Sequence, residues 1–546
     1  MKRKAVAAVL TAVMVASMFT GCGSDNGSSS AKSASAASAA SAANDTVDED
    51  GKVNGIMYQE GLPLVDEGDY TFSIFCDDSS ESGEFIMLDE FKKQTNVDVD
   101  LKIYPYETAT ERLNLDLNSG DYADVIGGWT LSDNAILTSG VNKGVFITLE
   151  DYFEKYCPNI SAILDLPGVR EKMTAPDGHI YTIPYVCADT TVGYSPYINT
   201  KWLENVGMSM PTTTDEFEAV LKAFKEQDAN GNGDASDEIP FSTDPNNKHI
   251  EAMAGYFGLP MNKLGIAIQN EKVVYGGVSD TYREFLSWFH KLYAEGLVDV
   301  ELYTQDSSTW EGKGNQDLYG VSIAYGSNEF TGIPAAEERG DFDSMPVLNT
   351  DKDGIWLRDT EGFSVYRTQA VITNKAEHPE IICRWFDNAF ALENGIGCNR
   401  GPVGVIVNKE DDGYHAIDTT TLSEEDQEKY SWGNLWPQSL PKYLPVDFEF
   451  VEEHPMYDEK KATEEAYEAN LTKEIIPSYW IDLDKIDTFS DTNTAIKDFF
   501  EQQQAQFVCG ELDIDNDADW QAYVDGMYSL GLEDWVATQG IEEIAK

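Results

Sequence analysis

Positive charge is scarce in this chain: 38 Lys and Arg stand against 97 Asp and Glu, a formal net charge of −59. A surface of that sign repels a polyphosphate and releases no counterions from it, so nucleic acid is excluded as a partner. The acidic excess reads as a solvated surface that resists aggregation, not as a site. Histidine is also rare, with six residues and none at metal-ligand spacing. No Gly-x-Ser-x-Gly, His-Glu-x-x-His or Gly-x-x-x-x-Gly-Lys segment occurs, so no nucleophile elbow, zinc-peptidase helix or phosphate loop is offered. Beyond Cys22 the cysteines (Cys76, Cys157, Cys187, Cys383, Cys398, Cys509) are widely spaced and form no C-x-x-C pair. That excludes a zinc pattern and a dense disulfide framework and favours buried thiols. Long apolar runs are missing too, since Ala5 to Phe19 is too short to span a bilayer stably.

That run follows Lys2, Arg3 and Lys4 and ends in Thr20-Gly21-Cys22. The pattern is an export signal over residues 1–21, cut at small residues. The Cys at the cut resembles a bacterial lipobox, whose thiol receives acyl chains of the palmitate type and anchors the protein to the outer face of the cell membrane. A Ser/Ala/Gly/Asn stretch follows, and residues 22–65 are expected to be a disordered tether with nothing to bury.

From Tyr70 the chain alternates strand-like and helix-like stretches. Tyr70–Phe75 reads as a buried strand, Glu84–Gln94 as a helix, Val97–Ile103 as a second strand, Thr108–Asn118 as a helix, and Ala123–Trp129 as a strand running into a glycine pair. The order β-α-β-α-β implies an α/β fold with a mostly parallel sheet, whose ligands gather beyond the carboxyl ends of the strands. Residues 180–185 and 193–197 read as strands passing from one lobe to another. Thr213 with Glu216 fits a capping box opening a helix with Phe217, Val220, Leu221 and Phe224 buried.

The sharpest local signal is Asp228-Ala229-Asn230-Gly231-Asn232-Gly233-Asp234-Ala235-Ser236-Asp237-Glu238. Oxygen side chains recur at alternate positions around a glycine turn, which suits Ca²⁺ and its six to eight oxygen ligands. Asp228, Asn230 and Asn232 would ligate through side chains and Asp234 through its carbonyl, with Asp237 or Glu238 closing the loop. Position twelve is Ile239 and Pro240 follows, so a single structural calcium loop is expected and not a sensor pair.

Several stretches, in this order along the chain, resemble the family 1 extracellular solute-binding proteins, the lipoproteins that feed sugars to ABC importers. They are Gly120–Ile126, Tyr197–Gly207, Met210–Thr213, Asp228–Pro240, Glu295–Asp299 and Thr368–Asn374 followed by His378-Pro379-Glu380 and Trp385. The resemblance implies a two-lobed, type II periplasmic-binding-protein-like fold with discontinuous lobes, 66–188 plus 365–425 and 189–364 plus 426–546. It also implies a monomer without catalysis that passes a carbohydrate, an oligosaccharide by preference, to permease subunits.

A sugar presents apolar C–H faces and a rim of hydroxyls, so its cleft needs aromatic platforms and forked polar groups. With 11 Trp and 27 Tyr available, the candidates in glycine- or proline-marked loops are Trp129, Trp310, Tyr325 with Asn328, Trp432 and Trp436, joined by Asp77 and Arg400. Trp202, Trp288 and Trp385 read as helix packing. Competing readings are an exported glycoside hydrolase using two carboxylates, and a surface adhesin or peptide receptor. The sequence leaves the ligand's identity open.

Overall fold

The computed structural model describes residues 45–545 except 79–83, 245–248, 333–340, 418 and 452–454. The export signal, Cys22 and the tether up to residue 44 lie outside the described residues.

Nine strands form the two main sheets: β1 (Tyr70–Asp77), β2 (Val97–Tyr104), β3 (Val125–Gly127), β4 (Thr182–Ala188), β5 (Ser195–Asn199), β6 (Ile239–Thr243), β7 (Tyr319–Ala324), β8 (Phe342–Ser344) and β9 (Phe363–Ile372). The first sheet has the order β2-β1-β3-β9-β4. β1 runs parallel to β2 and β3, and β9 is antiparallel to both its neighbours. Helices Ile86–Thr95 and Tyr106–Ser119 connect the first three strands, so the expected β-α-β-α-β unit is present. Its alternation sorts the faces. Phe72, Ile74 and Cys76 pack with Trp385 and Phe386 of helix Pro379–Ala389, while Phe75 joins Ala109 and Leu113 of helix Tyr106–Ser119.

The second sheet, β8-β5-β7-β6, is mixed. Its Ile198, Phe241, Val321 and Ile323 bury against Trp202 and against Phe217, Val220, Leu221 and Phe224 of helix Thr214–Glu226. Each such apolar side chain withdrawn from water contributes about 1.5–3 kcal/mol. That helix is capped as its sequence predicts: Thr213 accepts the Glu216 amide, and Glu216 reaches back to the amide and hydroxyl of Thr212, both at 2.8 Å. Helix Ile486–Cys509 covers helix Asp280–Ala294, with the Tyr282 and Phe500 rings stacked at 5.6 Å.

Two segments cross between the sheets side by side. Residues 189–194 lead from β4 to β5, and residues 359–362 return to β9. The Asp189 amide donates to Gly362 at 3.1 Å, the Asp359 amide to Thr191 at 3.0 Å, and the Thr360 hydroxyl to the Thr190 carbonyl at 2.9 Å.

Three expectations differ from the structure. The sheets expected to be mostly parallel are mixed, because β9 and β5 enter their sheets from the crossing segments and not through a helical crossover. Residues 45–65, assigned to the tether, are packed: Val53, Met57, Leu64 and Val65 are buried, and Arg384 donates to the carbonyls of Tyr58 and Gly61. Apolar residues interrupt the polar run there and have a core to enter. The second border, drawn at 425/426, falls early, because Trp436 and Leu440 are buried in the first sheet's core and Tyr443 bridges Val186 of β4. Of the six described cysteines none is bridged; Cys76, Cys157, Cys383 and Cys398 are buried, Cys187 is half-buried and Cys509 is exposed.

Candidate ligand cleft and calcium loop

At the carboxyl end of β1, two adjacent acids each secure a loop that carries an exposed tryptophan. Asp77 is fully buried, and its carboxylate accepts the amides of Trp129 at 3.0 Å and Thr130 at 2.6 Å. Burial pushes its carboxyl above the usual range, and those amides pull it back. The turn needs Gly128: its φ is 131°, and a Cβ there would lie 2.3 Å from the Asp77 carboxylate. Asp78 accepts the Gln438 amide at 2.8 Å, and the Gln438 side chain donates to the Trp432 carbonyl at 2.9 Å. Trp129 and Trp432 are 46% and 53% exposed, although both are large apolar rings. Asp77 therefore shapes the turn under Trp129, and its expected role as a direct fork to ligand hydroxyls is corrected: both its oxygens are committed and no surface remains.

Trp129 stands edge-on to Tyr366 of β9 at 5.2 Å, and Tyr366 stacks on Tyr185 of β4 at 5.5 Å. The chain then brings the second sheet to this cluster through Asp189, the first residue of the crossing segment. The Asp189 carboxylate accepts the hydroxyls of Ser364 (2.5 Å) and Tyr366 (3.4 Å) from the first sheet and of Tyr325 (3.3 Å) from the end of β7. Tyr325 meets Tyr194 edge-on at 6.1 Å, and Tyr194 stacks on His249 at 4.0 Å and 13°. Burial lowers the His249 imidazole to about 4, so this stack is neutral at neutral pH. Glu329 accepts the Tyr325 amide at 2.9 Å, and its burial raises it to about 7.

Hydroxyls carried from both sheets thus converge on one carboxylate at the crossing. Sequence reading missed Tyr185, Tyr194, Tyr366, Asp189 and His249. The signal available for three of them was Tyr185 and Tyr194 in the strands marked as passing between lobes and the polar Asp189-Thr190-Thr191 between those strands.

Trp310 and Trp436 correct the expectation that they face ligand. Trp310 is 3% exposed in a cluster with Tyr197, Tyr319 and Phe330, its indole donating to the Ser322 hydroxyl at 3.2 Å. Trp436 is fully buried, stacked on Trp385 at 5.7 Å and bonded to the Leu440 carbonyl. Loop chemistry marked their positions, but apolar walls covered them. Asn328 opens the short helix Asn328–Thr331 beside Tyr325, half-buried. Arg400 ends helix Leu392–Arg400 with its guanidinium 6.0 Å from the Phe450 ring, and burial lowers it to about 10.

In the Asp228–Glu238 loop the side chains fold inward onto the loop's own amides. Asp228 accepts the Gly233 amide at 3.0 Å, Asn230 that of Asn232 at 3.0 Å, Asn232 that of Asp234 at 2.7 Å, and Asp234 that of Ser236 at 3.1 Å. The Asp237 carboxylate draws in the side-chain amides of Asn230 and Asn232. One oxygen of Glu238 holds the Ala229 amide at 2.9 Å, and the other is buried without a hydrogen-bond partner. The orphaned buried oxygen of Glu238, in a loop whose other donors are carboxylate and amide oxygens, has the chemistry that a hard cation takes.

Compared with known proteins, residues 78–395 match the family of bacterial extracellular solute-binding proteins. The chain belongs to that family. It is 32% identical over 411 residues to the fructooligosaccharide ABC transporter substrate-binding protein FusA of Streptococcus pneumoniae, covering 73% of this chain and 70% of that one. It is 28% identical to the lipoprotein LipO of Bacillus subtilis over about half of each chain. The solved structure of an EF-hand mutant of S. pneumoniae FusA in complex with fructo-nystose superposes with a TM-score of 0.74 at 27% identity, over 86% of this chain and 98% of that one. The fold of this solute-binding protein is therefore periplasmic-binding-protein-like. The matched region contains the crossing segments, the Asp228–Glu238 loop and every aromatic residue of the Asp189 cluster.

Proposed function

We propose that this solute-binding protein captures an oligosaccharide between two lobes and delivers it to an ABC importer, with no chemistry on the ligand. The observation that carries the reading is the pair of aromatic groups, Trp129 with Tyr185 and Tyr366 on one side and Tyr325 with Tyr194 on the other, linked where the Tyr366 and Tyr325 hydroxyls share the Asp189 carboxylate. Half-exposed aromatic platforms held in place by a shared polar group are what a sugar's apolar faces require. The lobes are centred on the two sheets, with residues 66–188 and 365 to about 443 in one, and 189–364 and the remainder in the other. Residues 189–194 and 359–362 then form the hinge. Ligand touching both lobes favours the closed form by its differential affinity, and permease subunits read that closure. Tyr325, Asn328, Trp432 and Arg400 remain candidate contacts.

The Asp228–Glu238 loop would hold one Ca²⁺ through Asp228, Asn230, Asn232, Asp234 and Asp237 or Glu238, stiffening the turn between helix Thr214–Glu226 and β6. Cys22 would carry the lipid anchor on the extracellular face, and the protein would act as a monomer. Isothermal titration of the chain from residue 23 onward against fructans, other neutral oligosaccharides, uronates and peptides tests the reading. Micromolar or tighter binding of a saccharide class with X-ray scattering compaction is expected. Product formation from those saccharides at enzymatic rates, or peptide binding alone, would overturn it.

A further inference from the structure

Helix Pro455–Tyr467 lies beside the Asp189 cluster and grips four positions of the neighbouring loops at once. Glu459 accepts the amide and hydroxyl of Ser327 at 2.8 and 2.6 Å. Glu464 accepts the amide and hydroxyl of Thr191 at 2.6 and 3.0 Å. Lys460 is 3% exposed and donates to the carbonyls of Gly193, at 2.7 Å, and Tyr325. Its ammonium sits 4.0 Å from the centre of the Tyr325 ring. The helix is tied to the second sheet's end of the molecule by the Tyr467 hydroxyl, which donates to the Met345 carbonyl at 2.8 Å.

Two of the gripped positions, Thr191 and Gly193, belong to the crossing segment, and the others flank the Tyr325 platform. The bonds of Lys460 are to main-chain carbonyls, while the acids around it, Glu459, Glu464, Glu329 and Asp359, act on it through space. A buried ammonium aimed at two peptide planes and one ring fixes geometry, because its loss would take the side-chain donor from the Gly193 carbonyl and leave the Tyr325 carbonyl with the Tyr197 hydroxyl alone.

We propose that Lys460 is a positioning residue for ligand binding: it locks the crossing segment to the Tyr325 platform, so that the half-cleft on the second sheet is formed before ligand arrives. The inference rests on the carbohydrate reading for its effect on affinity, but the locking itself requires no ligand. Burial lowers the Lys460 ammonium to about 8, so the lock weakens as pH rises through that value. An arginine, charged throughout, would hold it.

Lys460→Met and Lys460→Arg are compared with the unmutated chain by hydrogen exchange without ligand, and by titration with nystose between pH 6.5 and 9.5. Faster exchange at residues 191–193 and 325–327 in Lys460→Met, reversed in Lys460→Arg, is expected. Nystose binding should weaken about tenfold in Lys460→Met at pH 7. The unmutated chain should lose affinity above pH 8, and Lys460→Arg should not. Unchanged exchange in Lys460→Met, or pH profiles of the unmutated chain and Lys460→Arg that coincide, overturns the proposal. If the unmutated chain binds no saccharide, the carbohydrate reading falls and exchange alone decides the lock. Should Lys460→Met not fold, Glu464→Gln loosens the same grip at Thr191 and is read in the same way.

Discussion

Replacing Trp129 by alanine separates a ligand platform from a structural residue. Its side chain is 46% exposed, and a tryptophan buries up to about 250 Å² when fully covered, so roughly 100 Å² remains for a sugar face to cover. At about 25 cal/mol per Å² that surface is worth about 2.5 kcal/mol, a loss of roughly fiftyfold to a hundredfold in Kd. The fold should notice little, because the ring is half-exposed, its described aromatic partners are Tyr366, edge-on, and Tyr185, tilted, and the turn is held by main-chain bonds to Asp77. A stability cost under about 1 kcal/mol is expected. Titration calorimetry with a bound oligosaccharide, beside chemical denaturation of the same preparation, measures both quantities. Trp129→Phe, which keeps a smaller face, should fall between. A Kd within about threefold of the unmutated value in a folded Trp129→Ala protein would refute the assignment of this ring to the ligand.

Trp436→Ala should show the opposite pattern, losing about 3–5 kcal/mol of stability in denaturant with affinity retained in the folded fraction, since a ring stacked on Trp385 leaves a cavity. Asp77→Ala should lower affinity by releasing the Trp129 turn, and Trp129→Ala should add little to it in a double-mutant cycle. If calcium occupies its loop, adding it at a hundred times its Kd stabilises by about 2.7 kcal/mol, which a chelator removes. Asp228→Ala with Asp237→Ala should be insensitive to chelator in thermal melts. Burial raises Asp387 to about 6. Its folded-state value lies above the unfolded one, so its contribution is fully present below about pH 4 and lost as pH rises through 6. Relative to Asp387→Asn, the unmutated chain should lose about 2 kcal/mol between pH 4 and 7 in denaturation series.

Much of this molecule was written locally. Alternating apolar residues and glycine stops specified β1, β2 and β3 with their helices, because strand and helix periods differ. The Thr213 cap and the Asx-rich loop were legible because their bonds run between residues a few positions apart. The order of short motifs along the chain pointed to the family. Tertiary structure decided which rings face solvent. Trp129, Trp310, Trp432 and Trp436 all stand in glycine- or proline-marked sequence of similar composition, yet Phe330 and Tyr319 cover Trp310, and Trp385 covers Trp436, from other elements of the fold. The meeting of Ser364, Tyr366 and Tyr325 on Asp189 was equally invisible, since residues more than 130 positions apart converge there only after two sheets have formed and two segments have crossed between them. Local bonding is encoded in neighbouring residues, whereas exposure and convergence depend on the whole packed chain.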